Sequence, residues 1–281
     1  MLLCASPVIF TMIRRLSVAC TVVSVMAMAE VPVCSQSDFY YNGAPDNGNA
    51  YIAHAGGVYP FMYSNCREAV EDSLQRGFKF IELDLLKTDD GSLVAGHDRA
   101  MFSLLTGSLC GLPGKLMSFD VARLKIAGRY TVLTGKDIYG LMQQHPEMIL
   151  VTDKVTDYEL LRAEIPLPER MIVECFSVQD VERARAAGFV HTAFCASSLQ
   201  HLQQAQQLGL PMITVSLQDV LLHAGMLPML AELHRQGVCI MAYGFAADNP
   251  YLLQNWLGRY FSKFYINHPA SFRCCGSLVQ Q

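Results

Sequence analysis

The sequence predicts a (β/α)8 TIM barrel with a short insertion after the second strand. Beyond residue 50, eight short runs of β-branched, aromatic and other apolar residues recur along the chain. The segments between these runs have helix-like patterns, several of which begin at Ser and end at Gly. With 281 residues, 52% of them apolar, the chain is long enough for one large core. An open doubly wound sheet is the alternative fold for the same alternation of strands and helices.

The eight predicted strands follow one another at fairly even spacing. They span residues 51–55, 78–86, 148–153, 171–176, 190–195, 210–216, 237–243 and 262–267. The clearest helix patterns span 64–77, 177–188 and 198–209. Each begins at a Ser, which can cap the first turn, and ends at a Gly, which can adopt the left-handed conformation after the last turn.

One connection departs from this regular alternation. Residues 99–133 contain glycines and a proline but no clean periodicity, which predicts an insertion after the second strand. In a barrel, the loops at the carboxyl ends of the strands form the ligand site, so the insertion should lie over that end. We expect one barrel domain over residues 51–281, preceded by a linker over residues 30–50.

The first residues have the pattern of a secretory signal peptide. Arg14 and Arg15 precede the 14-residue apolar run 16–29, which ends with Ala27-Met28-Ala29. This order predicts cleavage near Ala29 and a periplasmic or secreted protein. An uncleaved membrane anchor is the alternative, although the run is shorter than the ~20 residues of a spanning helix. The net charge of −4 and the absence of a basic stripe argue against a nucleic-acid partner.

Of the ten cysteines, Cys4 and Cys20 lie in or before the predicted signal peptide, and the other eight fall into two groups. Cys175, Cys195 and Cys239 lie within strand-like runs, where we expect buried thiols. Candidates for disulfides are Cys34, Cys66, Cys110, Cys274 and Cys275, and their pairing stays open.

The second predicted strand carries two carboxylates. Glu82 and Asp84 are two positions apart, so both side chains point to the same face. Their flanking residues, in "FKFIELDLL", are too apolar for a solvated face. Two adjacent carboxylates without a cation repel each other, so the pair implies a bound metal or a shared proton. We expect a metal, and oxygen ligands favour Mg²⁺ or Ca²⁺.

Two histidines accompany these carboxylates. His54 follows the first strand and precedes Gly56-Gly57, a setting in which a single histidine is more often a packed core residue. His97 ends the returning run "SLVAGHD", with Asp98 beside it as a possible orienter. Two histidines near a carboxylate-held cation suit phosphoryl transfer, with one as base and the other as acid.

Taken together, these segments resemble the opening of the glycerophosphodiester phosphodiesterase family. The matching elements are His54, Asn65, Glu82 with Asp84, Thr88 to Gly91, and His97 with Asp98. Further along, "ECFS" (174–177) and "MAYGFAADN" (241–249) resemble later strand ends of the family, with Tyr243 at an aromatic position. The resemblance covers about residues 51–270 and implies a TIM barrel, a divalent cation and phosphodiester hydrolysis.

The third strand departs from the family pattern. The family has an acid, one residue and then a lysine, the acid binding the metal and the lysine the phosphate. Here Asp153 and Lys154 are adjacent, and neighbouring strand residues face opposite ways. We expect a bulge that lets both side chains point inward, with Asp153 as the third metal ligand. Glu174 on the next strand is the alternative ligand.

Two further positions differ from the family. Ala55 stands where the family often has an arginine that contacts phosphate, and Asn267 stands where the eighth strand usually carries an aspartate. The adjacent His268 is either a substrate contact or an ordinary surface histidine. These changes leave the metal ligands and both histidines in place.

The resemblance implies a metal-dependent phosphodiesterase that hydrolyses a glycerophosphodiester or related phosphodiester by histidine acid/base catalysis. The substrate would be a small-molecule or lipid-derived phosphodiester. One alternative is a phospholipase C- or D-like enzyme in contact with a membrane surface, for which Met101, Phe102, Leu104 and Leu105 could be exposed. The other is a catalytically silent barrel that binds a phosphorylated ligand.

Overall fold

The computed structural model describes residues 50–57, 60–112, 114–245 and 257–267. The strands in this part of the chain are β1 (Tyr51–Ala53), β2 (Phe80–Lys87), β3 (Leu93–Ala95), β4 (Lys125–Ile126), β5 (Tyr130–Thr131), β6 (Ile149–Asp153), β7 (Met171–Cys175), β8 (His191–Cys195), β9 (Met212–Ser216), β10 (Cys239–Tyr243) and β11 (Lys263–Ile266). The helices are α1 (Arg67–Gln75), α2 (Arg99–Thr106), α3 (Ser118–Val121), α4 (Gly135–Gln144), α5 (Tyr158–Glu164), α6 (Val178–Ala186), α7 (Leu199–Gln207), α8 (Leu217–Leu222) and α9 (Met226–Arg235). Short 3₁₀ turns lie at His54–Gly56 and Pro168–Arg170.

Eight of the strands form a closed parallel barrel. In order around the barrel these are β1, β2, β6, β7, β8, β9, β10 and β11, each paired with its neighbours in parallel. Closure is made by β1, which pairs with β2 through Ile52 and Phe80 and with β11 through Tyr51 and Phe264. The predicted (β/α)8 barrel is therefore confirmed, and an open sheet is excluded because β1 has a partner on each side.

The interior of the barrel changes character along its axis. Toward the amino ends of the strands it is filled by apolar side chains, among them Ile52, Phe80, Val151 and Met241. Because side chains alternate along a strand, Glu82 and Asp84 point to the same face of β2 as Phe80. The barrel interior therefore passes from an apolar layer to a carboxylate layer within one strand.

Two of the three predicted helix starts are confirmed. The hydroxyl oxygen of Ser177 accepts a hydrogen bond from the Asp180 N–H, and Ser198 does the same for His201. The prediction for Ser64 is wrong, because α1 begins three residues later and its N-terminal flank is Cys66, without a side-chain cap. The segment 63–66 instead leads past the barrel mouth, as described below.

The insertion after β2 has structure of its own. A turn after β2 brings the chain back as β3, antiparallel to β2, and α2, α3 and the β4–β5 hairpin follow. A separate apolar cluster that includes Val94, Phe102 and Leu116 packs beneath it. Of the four apolar residues predicted for exposure, Leu104 is exposed, Phe102 is buried, and Met101 and Leu105 are partly buried.

Several sequence predictions lie outside the described residues: the signal peptide over 1–29, the linker over 30–49, Cys34, His268, Cys274 and Cys275. Cys66 and Cys110 are buried free thiols, so the expectation that they are placed for disulfides is wrong. Within the ranges that the structure describes, every helix is too short or too polar to cross a lipid bilayer.

Candidate active site

Three carboxylates meet at the carboxyl ends of adjacent strands. Glu82 and Asp84 lie on β2, and Asp153 ends β6 directly opposite Asp84 in the strand register. One oxygen from each residue lies within 4.8 Å of the others. Glu82 and Asp84 are buried, and Asp153 is partly buried. Three carboxylates in this arrangement could bind a metal ion.

The carboxylate cluster contains an unpaired acceptor oxygen and like charges, which a bound cation would compensate. One carboxylate oxygen of Asp153, Oδ1, is buried and accepts no hydrogen bond. Burial, followed by the charges of Glu174 and Asp84, raises the pKa of Asp153 to about 8. Burial and the charge of Asp84 also raise the pKa of Glu82 well above its usual range. An orphan acceptor among mutually repelling carboxylates fits a divalent cation, for which hard oxygen ligands are preferred.

A backbone N–H after β1 and a side chain before α1 fix the two buried carboxylates. The Ala55 N–H donates to Glu82 Oε2 at 2.6 Å. The Asn65 side chain donates to Asp84 Oδ2 at 3.0 Å and accepts from the Asp84 N–H at 3.0 Å. Both Ala55 and Asn65 have a φ of +50°, a left-handed conformation that costs alanine free energy and that asparagine adopts more readily. Asn65 therefore holds Asp84 by a reciprocal pair of bonds.

Lys154 reaches the cluster by a route that differs from the predicted bulge. β6 pairs with β2 in regular register through Asp153, so it contains no bulge there. Instead, the Val155 N–H donates to the Asp153 carbonyl at 2.8 Å, which closes a γ-turn with Lys154 at a φ of +63°. This turn directs the Lys154 ammonium group to Asp84, to which it donates, and to within 3.8 Å of Asp153. Both adjacent residues thus face the barrel mouth.

Glu174, the alternative metal ligand, has other partners. Its carboxylate accepts hydrogen bonds from the Thr214 hydroxyl at 2.9 Å and from the Tyr265 hydroxyl. The Cys195 thiol lies 3.8 Å from its second oxygen. Burial raises the pKa of Glu174, and the two hydroxyl donors oppose that shift. Its oxygens lie outside the cluster formed by the other three carboxylates.

His54 is held at the barrel mouth by the last strand. Its Nδ1 lies 2.8 Å from the Asn267 side-chain oxygen, and its Nε2 lies 3.8 Å from Glu82. Because an amide oxygen can only accept, this hydrogen bond requires the proton on Nδ1 and leaves the lone pair on Nε2. Burial lowers the pKa of His54, and the bond to Asn267 partly offsets that effect. The Tyr265 ring packs edge-on against the imidazole at 5.7 Å between centroids.

His97 lies across the Tyr63 ring from His54. Its Nδ1 is 2.8 Å from the Asp98 carboxylate, which also caps α2 by accepting from the Met101 N–H at 2.8 Å. The Tyr63 ring lies edge-on to both histidines, with centroid distances of 5.0 Å to His54 and 6.0 Å to His97. The predicted orienting contact of Asp98 is therefore present, and both histidines border the same mouth.

Tyr243 ends β10 and is partly exposed at the mouth. Its ring lies 6.0 Å from that of Tyr265, which in turn contacts His54. All seven sequence-predicted site residues therefore belong to one end of the barrel. Sequence reasoning missed Tyr63, Tyr265 and the contact of Asn267 with His54, although the position of Asn267 at the end of the eighth strand was a usable signal.

Backbone strain is concentrated at this end of the barrel. Among the described residues, the non-glycine residues with positive φ are Ala55, Tyr63, Asn65, Ala127 and Lys154. All except Ala127 contribute to the mouth described above. Strained backbone of this kind persists where the surrounding structure holds a functional site in place.

Comparisons with solved structures agree with this fold. A glycerophosphodiester phosphodiesterase from Thermotoga maritima superposes with a TM-score of 0.60 at 14% identity over 79% of this chain and 95% of its own. One from Parabacteroides distasonis gives 0.60 at 16% identity over 82% and 87%. An Oleispira antarctica phosphodiesterase in complex with the product sn-glycerol-3-phosphate gives 0.60 at 14% identity over 78% and 93%. The chain thus has the barrel fold of these phosphodiesterases.

Searches of protein-family models and of curated proteins found no match.

Proposed function

We propose that this protein is a metal-dependent phosphodiesterase that hydrolyses a glycerophosphodiester or a closely related phosphodiester. The observation that carries the proposal is the cluster of Glu82, Asp84 and Asp153, with its orphan oxygen, at the barrel mouth that two oriented histidines border. The fold shared with known phosphodiesterases supports it, and the product-bound Oleispira antarctica structure makes a small phosphodiester a reasonable substrate class.

Glu82, Asp84 and Asp153 would hold Mg²⁺ or Ca²⁺. When bound, such a cation would offset the negative charge of the phosphodiester. Lys154 would contribute a further positive charge, because its ammonium group already lies against Asp84 and near Asp153. In this arrangement the carboxylates would be ionised, and their repulsion would be relieved by the two sources of positive charge.

The two histidines would carry out the proton transfers. His54 Nε2 has the free lone pair and would take the proton from the attacking hydroxyl or water as its oxygen bonds to phosphorus. His97, oriented by Asp98, would donate a proton to the leaving alcohol oxygen as the bond from that oxygen to phosphorus breaks. The assignment of the base to His54 follows from the Asn267 contact, which leaves the lone pair of the neutral ring on Nε2, and from burial, which favours the neutral ring.

Substrate recognition would combine Lys154 at the phosphate with Tyr243 at the organic part of the substrate. Tyr243 presents an exposed aromatic edge beside Tyr265, which suits contact with a glycerol or head-group moiety. Because Ala55 offers its backbone to Glu82 but no cationic side chain, phosphate binding would depend more on Lys154. We further propose that the protein acts outside the cytoplasm after removal of residues 1–29.

Turnover assays test the proposal. The purified protein would be incubated with Mg²⁺ or Ca²⁺ and a panel of glycerophosphodiesters and intact phospholipids. We expect Asp84→Asn and His54→Ala each to lower turnover by about a hundredfold or more, whereas His223→Ala, on an exposed loop, should have no effect. A chelator should abolish turnover.

Other outcomes would contradict the proposal. Activity that survives both site substitutions would place the chemistry elsewhere. Binding of glycerol-3-phosphate by calorimetry without turnover of any diester would favour the catalytically silent barrel. Turnover of intact phospholipids alone would favour the phospholipase alternative.

A further inference from the structure

The insertion carries an exposed apolar surface near the barrel mouth. Leu104, Leu109 and Leu112, called here the leucine surface, are 81%, 72% and 54% exposed. All three line one open cavity of about 520 Å³, whose other walls are small residues such as Ala100 and Ser103. Large exposed apolar side chains gathered at one place mark an interaction site more often than scattered ones do.

The charge of the insertion is opposite to that of the rest of the chain. Residues 99–133 contain five basic residues and one acidic residue, a formal charge of +4. The whole chain has a charge of −4, so the remaining residues sum to −8. Arg99 pairs with Asp89 at 2.8 Å, and the other four basic residues, Lys115, Arg123, Lys125 and Arg129, are solvent-exposed.

Two of these basic residues lie on an element that is attached to α2. The Ala127 N–H, in the turn between β4 and β5, donates to the Leu105 carbonyl at 2.7 Å. This bond ties the β4–β5 hairpin, which carries Lys125 and Arg129, to the helix that carries Leu104. We call Lys125 and Arg129 the basic hairpin pair. The hairpin that carries this positive charge is therefore attached to the helix that carries Leu104.

We propose that the leucine surface and the basic hairpin pair form a docking site for an anionic lipid bilayer. A bilayer of that kind offers apolar tails and negative head groups, and so complements both features. Three leucine side chains expose far less area than the roughly 800 Å² that each partner buries in a stable protein interface. Shallow insertion of a few apolar residues beside basic ones is sufficient for reversible membrane association.

The position of the surface gives docking a consequence for the barrel. α2 begins immediately after His97 and Asp98, and Asp98 caps it. Docking through α2 and the segment that follows it would bring the barrel mouth close to the membrane plane. The docking site itself does not depend on the proposed chemistry, because it consists of other side chains.

Vesicle binding tests the proposal directly. The full chain would be co-sedimented with vesicles of phosphatidylcholine alone and of phosphatidylcholine mixed with phosphatidylserine. We expect binding only to the anionic vesicles, and weaker binding at high salt because salt screens the attraction. Lys125→Glu combined with Arg129→Glu should weaken binding about thirtyfold or more, since each basic residue near an anionic surface contributes about a factor of five.

The apolar contribution has a matched control. Leu104→Ser combined with Leu109→Ser should weaken binding at least about tenfold, because two buried leucines would be lost from the lipid interface. Val190→Ser combined with Leu208→Ser removes two other exposed apolar residues, 64% and 50% exposed, near the amino ends of β8 and β9 and should leave binding unchanged. Thermal unfolding would establish that each variant is folded.

Three results would overturn the proposal. Binding that neither insertion variant weakens would exclude this surface. Loss of binding on removal of residues 1–29 would assign the membrane contact to that segment. A change of oligomeric state in light scattering when Leu104 and Leu109 are replaced, without a change in vesicle binding, would assign the surface to a contact between copies. Because the measurement is vesicle binding, a protein without phosphodiesterase activity tests it equally well.

Discussion

The two ends of the barrel interior handle buried charge in different ways. At the amino end, the Lys263 ammonium group lies over the Phe80 ring at 3.9 Å within a packed apolar layer. At the carboxyl end, three carboxylates crowd together and one of their oxygens has no hydrogen-bond partner. Both groups are buried, but only the carboxylates repel neighbours of the same sign.

This difference indicates what each end contributes. A packed layer of apolar side chains is the main source of folding free energy in a barrel. Like charges that are only partly compensated and residues with positive φ reduce stability, so they persist where function requires them. The mouth is therefore the end at which substitutions should alter function without loss of stability.

The largest effect is expected from a comparison of substitutions at Phe80 and Glu82, which lie on the same face of β2. Phe80→Ala should lower the free energy of unfolding by about 3 to 5 kcal/mol, because it leaves a cavity in the apolar layer. Glu82→Gln should leave the unfolding free energy of the metal-free protein unchanged or raise it, because it removes a buried charge. Denaturant titration in the presence of a chelator measures both. Equal destabilisation by the two substitutions would show that the mouth is part of the stabilising core.

The next effect is on the pH dependence of stability. The pKa of Asp153 is raised to about 8 and that of Glu82 is raised as well, so the folded protein binds more protons than the unfolded chain between about pH 4 and pH 8. The stability contributed by these groups is fully present below about pH 4 and is lost as the pH rises through about 8. In the presence of a chelator, the free energy of unfolding should therefore fall by about a few kcal/mol over that range.

A divalent cation should reverse this loss, because it favours the ionised carboxylates. The increase in melting temperature caused by Mg²⁺ or Ca²⁺ should thus be larger at pH 8 than at pH 5, and Asp153→Asn should abolish it. The matched control is Asp219→Asn on α8, which lies outside the carboxylate cluster. A metal-induced shift that is independent of pH, or that survives Asp153→Asn, would contradict the proposed ligand set.

A smaller effect is expected from the residue that orients His54. Asn267→Ala should lower kcat by about tenfold to a hundredfold, because Nδ1 loses the acceptor that fixes its proton and leaves Nε2 free. The cation-induced shift in melting temperature should be retained, since Asn267 is not among the clustered carboxylates. An unchanged kcat would remove the reason for assigning the base to His54, and loss of the cation response would indicate a general collapse of the mouth.

The sequence was sufficient for the barrel and for most of its mouth. Each barrel strand is a short apolar run, and the carboxyl ends of parallel strands must meet at one end of the barrel. That rule alone brings His54, Glu82, Asp84 and Asp153 together once the strands are found. The position of Asp84 relative to Glu82 follows from the two-residue period of a strand.

What the sequence could not predict depends on single backbone dihedral angles and on barrel closure. The γ-turn at Lys154 places the lysine beside Asp84, yet "TDKV" contains no glycine, asparagine or proline to signal a turn. The contact of Asn267 with His54 spans 213 residues of sequence and exists only because β11 pairs with β1. Tyr63 meets both histidines through its positive φ, which no local pattern indicated.

The smallest effect is expected from two substitutions that relieve backbone strain, one at the mouth and one outside it. Ala127 has a φ of +51° in an exposed hairpin turn, whereas Ala55 has a φ of +50° beside Glu82. A left-handed conformation costs a non-glycine residue about 1 to 2 kcal/mol, and the greater freedom of glycine in the unfolded chain offsets part of the gain on substitution. Ala127→Gly should therefore raise the free energy of unfolding by about 0.5 to 1 kcal/mol without a change in turnover.

Ala55→Gly relieves the same kind of strain at the mouth and should give a similar or smaller gain in stability. It should also lower turnover, because the Ala55 N–H that holds Glu82 at 2.6 Å then belongs to a more mobile segment that runs into Gly56. Denaturant titration and steady-state kinetics on the two variants compare the sites directly. If both substitutions stabilise the protein and neither changes kcat, the strain at Ala55 has no part in positioning Glu82, and the concentration of positive φ values at the mouth is a consequence of tight packing alone.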